Sequence, residues 1–292
     1  MVTIFTPTYN RGSLLGKLYE SLKKQSCKEF EWIIVDDGST DDTEQVVNTF
    51  INEGEIDITY QRQSNGGKHV AINTGVSLAN GRYFFIVDSD DCLPSNSIEI
   101  IYKWLRTIDN DDSFAGVGGL KSFPNKLIGT TFDGEFVDCK STERNKYNIT
   151  GDKAEIFKLA ILKKYPFPRF DGEKFITESV VWNKISLDGY KIRWFNEVIY
   201  YGEYLDGGLT KTRGNFYKNY QGYIESIKVN LQCKELPLKE RLKSYVVCCV
   251  YAKKKKYGYK KLAKQLGTSV CEVAILAILG SFIYKLLGGS VD

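Results

Sequence analysis

The chain has 292 residues, of which 42% are hydrophobic and 26% charged, with a formal net charge of +4. These values exclude a disordered chain and leave room for a full core, either one large α/β domain or one domain with an appendage. So small a net charge does not by itself argue for nucleic acid, and its distribution matters more than its size. Seven cysteines (Cys27, Cys92, Cys139, Cys233, Cys248, Cys249, Cys271) are scattered without CxxC spacing, and His69 is the only histidine. That pattern reads as reduced thiols rather than a disulfide framework or a thiolate–imidazole metal site. The start "MVTIFTPTYN" has no basic segment followed by an apolar one, so the expected setting is the cytoplasm or a membrane face exposed to it.

Four β-like runs recur at steps of roughly 25–30 residues, the length of a βα unit. They are "VTIFTPT" at 2–8, "EWIIVDDGS" at 31–39, "IDITYQR" at 56–62 and "RYFFIVDSD" at 82–90. Helix-like stretches separate them at 13–25, 41–52 and 68–79. Near-continuous apolar runs such as "WIIV" and "YFFIV" suit a parallel sheet covered on both faces. The first hundred residues thus predict a Rossmann-type half, in which ligands sit at the carboxyl ends of the strands. Next, Pro94 with Ser95 or Ser97 opens a helix carried by Ile98, Ile101, Leu105 and Ile108, and 109–113 closes it. Residues 114–150 hold short β-like pieces without a firm pattern. Helix patterns follow at 154–164 and 176–187, then a strand-like "KIRWFNEVIYYGEY" at 191–204. Beyond about Gly207 the chain turns to helices rich in Lys, Tyr and Leu. Its apolar run at 273–284, with Glu272 at the edge, is shorter than the roughly 20 residues a membrane span needs and predicts an interfacial or buried helix.

Three stretches carry candidate chemistry. In "FIVDSDDCLP" the carboxylates of Asp88, Asp90 and Asp91 repel one another unless a cation or a solvated loop relieves them, and oxygen-only donors favour a hard divalent ion. An acidic turn capping the next helix is the alternative, but the end of a fourth parallel strand lies beside the expected ligand mouth. In "IIVDDGSTDDT", Asp41 and Asp42 suit a helix N-terminus, whereas Asp37 at a strand end suits a base N–H or a ribose hydroxyl. In "SNGGKHVAINTG", glycines permit close backbone approach and Lys68 suits phosphate or base. It is not a Walker loop, because His69 follows Lys68 and Arg62 stands where the first glycine belongs, and no GxGxxG follows the first strand. His69 alone reads as a packed core histidine before a ligand. Trp182 and Trp194 suit either an acceptor sugar or the core. In "EYLDGGLTKTR", Gly207 and Gly208 permit hinging that would bring Lys211 and Arg213 to a diphosphate. The lysines at 253–256 read as a solvated face or, with the apolar helix behind them, as a contact for anionic lipid.

Taken in order, "TPTYNR" at 6–11, "VDDGSTDDT" at 35–43, "NGGKHVAINTG" at 65–75, "GRYFFIVDSDD" at 81–91 and "FITES" at 175–179 resemble the family 2 glycosyltransferases over residues 1–205. The resemblance implies an α/β GT-A fold, Rossmann-like, with a mostly parallel central sheet flanked by helices and a C-terminal helical extension. It implies a catalytic domain at 1–210 and a helical region at 211–292. It places uridine on Thr6, Pro7 and Asp37, with Tyr9, Asn10, Lys68, Asp88 and Ser89 completing the nucleotide site. The "DxD" element falls on Asp88 and Asp90, and Mn²⁺ or Mg²⁺ on Asp90 and Asp91. Many members carry Glu-Asp where this chain has Glu178 and Ser179, so Glu178 becomes the expected general base and Glu173 the second choice. A carboxylate in partly apolar surroundings gains the basicity the task requires, although Glu178 also suits a plain helix N-terminus.

The implied activity is inverting, metal-dependent transfer from a UDP-sugar to a hydroxyl of a glycan or lipid-linked acceptor, in bacterial surface polysaccharide synthesis. A position on the inner membrane face through the C-terminal helices follows, and no nucleic-acid partner is implied. Two other readings stay open. A sugar nucleotidyltransferase expects a glycine-rich, basic first loop, of which "TPTYNRG" has little, and a non-catalytic nucleotide-sugar-binding subunit draws on Ser179.

Overall fold

A computed structural model describes residues 1–123, 126–202, 218–254 and 256–286. The loop with Gly207, Gly208, Lys211 and Arg213 lies outside the described residues. Strands β1 (Val2–Thr8), β2 (Phe30–Asp36), β3 (Ile58–Arg62) and β4 (Tyr83–Ile86) run parallel in the order β3-β2-β1-β4. Helices α1 (Gly12–Lys23), α2 (Thr43–Glu53) and α3 (Lys68–Leu78) make the crossovers. Every residue of β2 is buried, which is why its sequence shows no polar alternation. One face carries Ile4, Trp32 and Ile34 under Leu15, Leu18, Tyr19 and Leu22 of α1, with Tyr19 stacked on Phe50 of α2 at 4.1 Å. The other carries Phe5, Ile33 and Val35 under Ala71 and Ile72 of α3.

The second half of the sheet is mixed. Beyond β4 come β8 (Lys153–Lys158), β5 (Phe114–Phe123), β9 (Lys191–Tyr201) and β7 (Phe136–Cys139), with β6 (Lys126–Leu127) paired to β5, for nine strands among the described residues. Strand β8 is antiparallel to both its neighbours, and β9 is parallel to β5. Helix α4 (Ser97–Arg106) starts where its serines predict and stacks Trp104 on Phe195 at 5.1 Å. The region 153–164 corrects the sequence expectation of a helix: it is β8 followed by the four-residue α5 (Leu159–Leu162). A central strand buried on both faces spaces its apolar residues much as a buried helix does. Gly116 on β5 permits this close pairing, since a Cβ there would lie 1.9 Å from the Ile156 carbonyl oxygen.

Helix α6 (Ser179–Leu187) leads through β9 to four helices, α7 (Tyr220–Gln232), α8 (Leu238–Lys254), α9 (Tyr259–Leu266) and α10 (Val270–Leu286). These share a core of Ile224, Ile227, Tyr245, Cys248, Cys249, Leu262 and Val273, while Val229 of α7 and Cys233 just past its end join the core beneath the sheet. Among the described residues no single helix is long and apolar enough to cross a membrane. Helix α10 buries Val273 and Ala277 and exposes Ile275, Ile278, Leu279, Phe282 and Leu286.

At the amino end of the sheet, buried Glu31 on β2 accepts from Thr3 Oγ1 (2.5 Å), Asn80 N (2.8 Å), Asn80 Nδ2 (3.1 Å) and Gly81 N (2.8 Å). Burial pushes its carboxyl up, but these donors outweigh burial and hold it below the usual range. A depressed carboxyl stabilises the fold above its unfolded value of about 4.3, and the contribution disappears as pH falls through the folded value. Glu31→Gln is therefore expected to cost about 2–3 kcal/mol in urea denaturation at pH 7, the gap to wild type narrowing as pH drops below about 4.

Candidate active site

Because β1, β2 and β4 are parallel, their carboxyl ends meet at one edge of the sheet. After β4 the chain turns, with Asp91 N donating to the Asp88 carbonyl at 3.2 Å. Tyr200, buried on β9, pins this turn: its Oη accepts from Asp88 N at 3.0 Å and donates to Asp91 Oδ2. Burial first, then the Asp88 and Asp91 charges, push the phenol far above its ordinary value, so it remains a donor.

Lys68 opens α3 and joins two of these elements. Its Nζ lies 2.6 Å from Asp88 Oδ1 and 2.8 Å from Glu178 Oε1, tying the end of β4 to the start of α6. Burial opposes the ammonium charge, but Asp88 and Glu178 outweigh it and keep Lys68 protonated. For Asp88 burial likewise pushes upward and is outweighed by Lys68, Lys121 and Arg11, leaving the carboxyl below its usual range. Arg11, just past β1, reaches Asp90 Oδ2 at 3.1 Å and buried Ser89 Oγ at 3.4 Å. Glu178 sits at the N-cap position of α6 yet makes no side-chain cap bond, its carboxylate turning to Lys68 instead.

Asp37 is buried and accepts from Gln63 Nε2 (2.7 Å), Gly66 N (2.8 Å) and Gly67 N (2.7 Å), so it fastens the loop that delivers Lys68. Tyr9 is exposed and Pro7 half-buried, while Asn10, at φ 52, accepts from Thr40 N at 2.7 Å. Asp41 accepts from Gly12 N and Thr43 N, each at 3.1 Å, and ties the starts of α1 and α2, as its position predicts. Asp42 makes no such side-chain bond.

Two expectations need correcting. The Thr6 side chain is fully buried and accepts from Trp32 Nε1 at 3.0 Å, so only its backbone is left for a ligand. Glu173 spends both oxygens on Gln221 N (2.7 Å) and Gly222 N (2.8 Å) at the start of α7, a structural duty that favours the positive end of a helix. Of the two readings for Trp194 the structure takes the core: it is 1% exposed, with its indole N–H on the Cys139 carbonyl. Trp182 instead stacks on Phe157 at 4.3 Å and faces a cavity. His69 is buried, and burial, opposed by the Asp37 charge, lowers its pKa and keeps it neutral.

That cavity, about 30 Å³, is lined by Lys68, Asp88, Lys121, Glu155, Glu178 and Trp182. A larger hollow of about 210 Å³ lies between Asp36, Ser39, Glu44 and Arg62, and none of the expected ligand residues faces it. Asp36 there is already committed to Ser39 N and Tyr60 Oη, both at 2.7 Å. Sequence reasoning missed Lys121, Glu155 and Tyr200 because no motif marks β5, β8 or β9. Arg11 was in view as the last letter of "TPTYNR", without a role.

The donor chemistry of the strand end fits a hard divalent ion. Asp88 and Asp90 are each balanced by a side-chain cation, Lys68 at 2.6 Å and Arg11 at 3.1 Å. Among the described residues no three acidic, His or Cys side chains converge on one point, and Asp91 is turned to Tyr200. Two carboxylates suffice where substrate phosphates supply the remaining ligands.

Residues 3–164 match the model of "Glycosyl transferase family 2", more than half of the chain, and the protein belongs to that family. It is 26% identical over 308 residues to a Campylobacter jejuni GalNAc(5)-diNAcBac-PP-undecaprenol beta-1,3-glucosyltransferase, covering 97% of this chain and 93% of that one. It is 35% identical over 111 residues to glycosyltransferase GlyG of Streptococcus pneumoniae, covering 38% of this chain, and so spans little more than a third of that relative's length, 37%. The structure of S. aureus TarS 1-349 in complex with UDP-GlcNAc superposes with a TM-score of 0.65 at 20% identity, covering 98% of this chain and 81% of that one. The fold is therefore GT-A, as the motifs imply.

Gly67 governs where Lys68 sits. Its φ is 91°, and a Cβ there would lie 1.9 Å from the Lys174 carbonyl oxygen. Gly67→Ala is expected to lower stability by about 2–4 kcal/mol in thermal denaturation. Gly16→Ala on α1, whose Cβ would meet nothing within 4 Å, is expected to be neutral or stabilising.

Proposed function

We propose that the enzyme transfers a sugar, with inversion, from a UDP-sugar to a hydroxyl of a glycan or lipid-linked acceptor in surface polysaccharide synthesis. The observation that carries this is the meeting of Asp88, Lys68 and Glu178, from β4, α3 and α6, at one cavity. Glu178 takes the acceptor proton as its oxygen bonds to the anomeric carbon, while the bond to the diphosphate breaks on the opposite face. A single displacement of this kind inverts the carbon and needs one base. Lys68 holds Glu178 in place, and Lys68 and Arg11 face the charge that develops on the departing diphosphate. Asp90, with Asp88 or Asp91, would hold Mn²⁺ or Mg²⁺, which when bound adds Lewis-acid stabilisation of the same charge. Pro7, Tyr9, Asn10, Asp37, Ser89 and the Thr6 backbone frame the nucleotide. The UDP-GlcNAc of TarS, a protein of this fold, and the lipid-linked glycan named for the Campylobacter relative support the donor and acceptor classes.

In the same reading, residues 1–210 form the catalytic domain and 211–292 a helical region that docks on the inner membrane face. Exposed Lys260, Lys261 and Lys264 of α9 beside the bare apolar row of α10 support that docking.

Incubation with Mn²⁺ and a panel of UDP-sugars is expected to release UDP. Pyrophosphate would instead indicate a nucleotidyltransferase, and binding without turnover a non-catalytic subunit. Glu178→Gln should lose about 100-fold or more in kcat while UDP still binds in calorimetry, and Asp90→Ala should lose metal-dependent turnover. Full activity in both variants would remove the assignment.

A further inference from the structure

The cavity contains a carboxylate that the transfer chemistry above leaves unused. Glu155 lies at the middle of β8, opposite Gly118 of β5, on the sheet face that α3 and α6 cover. Two residues along the same face, Phe157 supports Trp182, whose ring lines the cavity. The Glu155 side chain is only 17% exposed, and among the described residues it makes no hydrogen bond. Its nearest cation, Arg144 of the 3₁₀ helix Ser141–Tyr147, stands 3.8 Å away.

Among the described residues the cations around Glu155 also serve other partners, and only Arg144 pairs with it, at 3.8 Å. Arg144 donates to the Gly151 carbonyl and lies over the Trp194 ring at 4.9 Å. Lys153 spends its ammonium on the carbonyls of Ile128 (3.3 Å), Thr130 (3.1 Å) and Thr150 (2.8 Å). Lys68 is held between Asp88 and Glu178, and Lys121 of β5 lies over the Tyr200 ring at 4.1 Å. Asp152, before β8, and Glu178, before α6, add like charge. Burial, opposed by Arg144 and Lys121, pushes the Glu155 carboxyl up to about 7.

A buried acid with unspent hydrogen-bonding capacity is costly, and a neutral or apolar side chain would fill the same space with less penalty. Such a group, near the Trp182 ring and in the same cavity as the expected base, offers a strong acceptor to a hydroxyl brought to the mouth of the cavity. We propose that Glu155 accepts a hydrogen bond from a hydroxyl of a pyranose held against Trp182 and so selects the sugar. This rests on the transfer reading above and adds a contact on the sugar rather than on the nucleotide.

The test uses the full chain with Glu155→Gln, which keeps shape and removes charge. Its melting temperature and UDP affinity, by calorimetry, should stay within twofold of wild type in affinity. Its kcat/KM should fall by about tenfold or more, and the rise in wild-type kcat/KM with pH through about 7 should be absent, since the charged carboxylate accepts more strongly than a protonated acid or an amide oxygen. If the hydroxyl belongs to the donor sugar, affinity for the UDP-sugar falls while that for UDP does not. If it belongs to the acceptor, both donor affinities hold and the acceptor KM rises. Unchanged kcat/KM with an unchanged pH profile would overturn the proposal, as would a parallel loss of UDP affinity, which marks a general collapse of the site. Absence of any transfer by wild type would sink the proposed function instead; equal UDP-sugar affinity and equal acceptor affinity in wild type and variant would then dispose of Glu155 as well.

Discussion

The active edge depends on one ammonium. Lys68 reaches Asp88 and Glu178 at once, and those carboxylates come from parts of the chain ninety residues apart. Each partner keeps about a third of its surface in water, so the pair contributes less through raw Coulomb energy than through geometry. What matters is that the start of α6 cannot drift from the end of β4 without leaving carboxylates beside no counter-charge. Behind Lys68 stands Asp37, which gathers three N–H donors from the 63–67 loop and sets where α3 begins.

Around that link the acids of the strand end divide among separate partners: Asp88 with Lys68, Asp90 with Arg11 and Asp91 with Tyr200. Three carboxylates in four residues repel in isolation, and this distribution relieves the repulsion while holding two cations at the strand ends. The mixed half of the sheet supplies the remaining wall. Strand β8, entering antiparallel between β4 and β5, brings Glu155 to the cavity, and β9 brings Tyr200 to the turn after β4.

Much of the fold was legible because the parallel strands are buried on both faces and their apolar runs end at carboxylates and glycines. The strand ends around Asp37 and Asp88 were therefore found, as was the capping duty of Asp41. The segment at 153–158 was misread because a doubly covered central strand lacks the alternation that distinguishes strand from helix. Thr6 and Glu173 were misjudged for a different reason: each carries a side chain suited to a ligand, and each is engaged by a distant part of the chain, Trp32 and the start of α7 respectively.

Local sequence determined the elements of the parallel half, the glycines that let the 63–67 loop close on Asp37, and the presence of an acidic strand end, since these follow from side-chain period, backbone freedom and adjacent charge. Tertiary structure alone decided which carboxylates are spent on the fold and which face the cavity. Partner choice for a charged side chain is set by burial and by what the packing brings within about 3 Å, and neither is encoded in neighbouring residues.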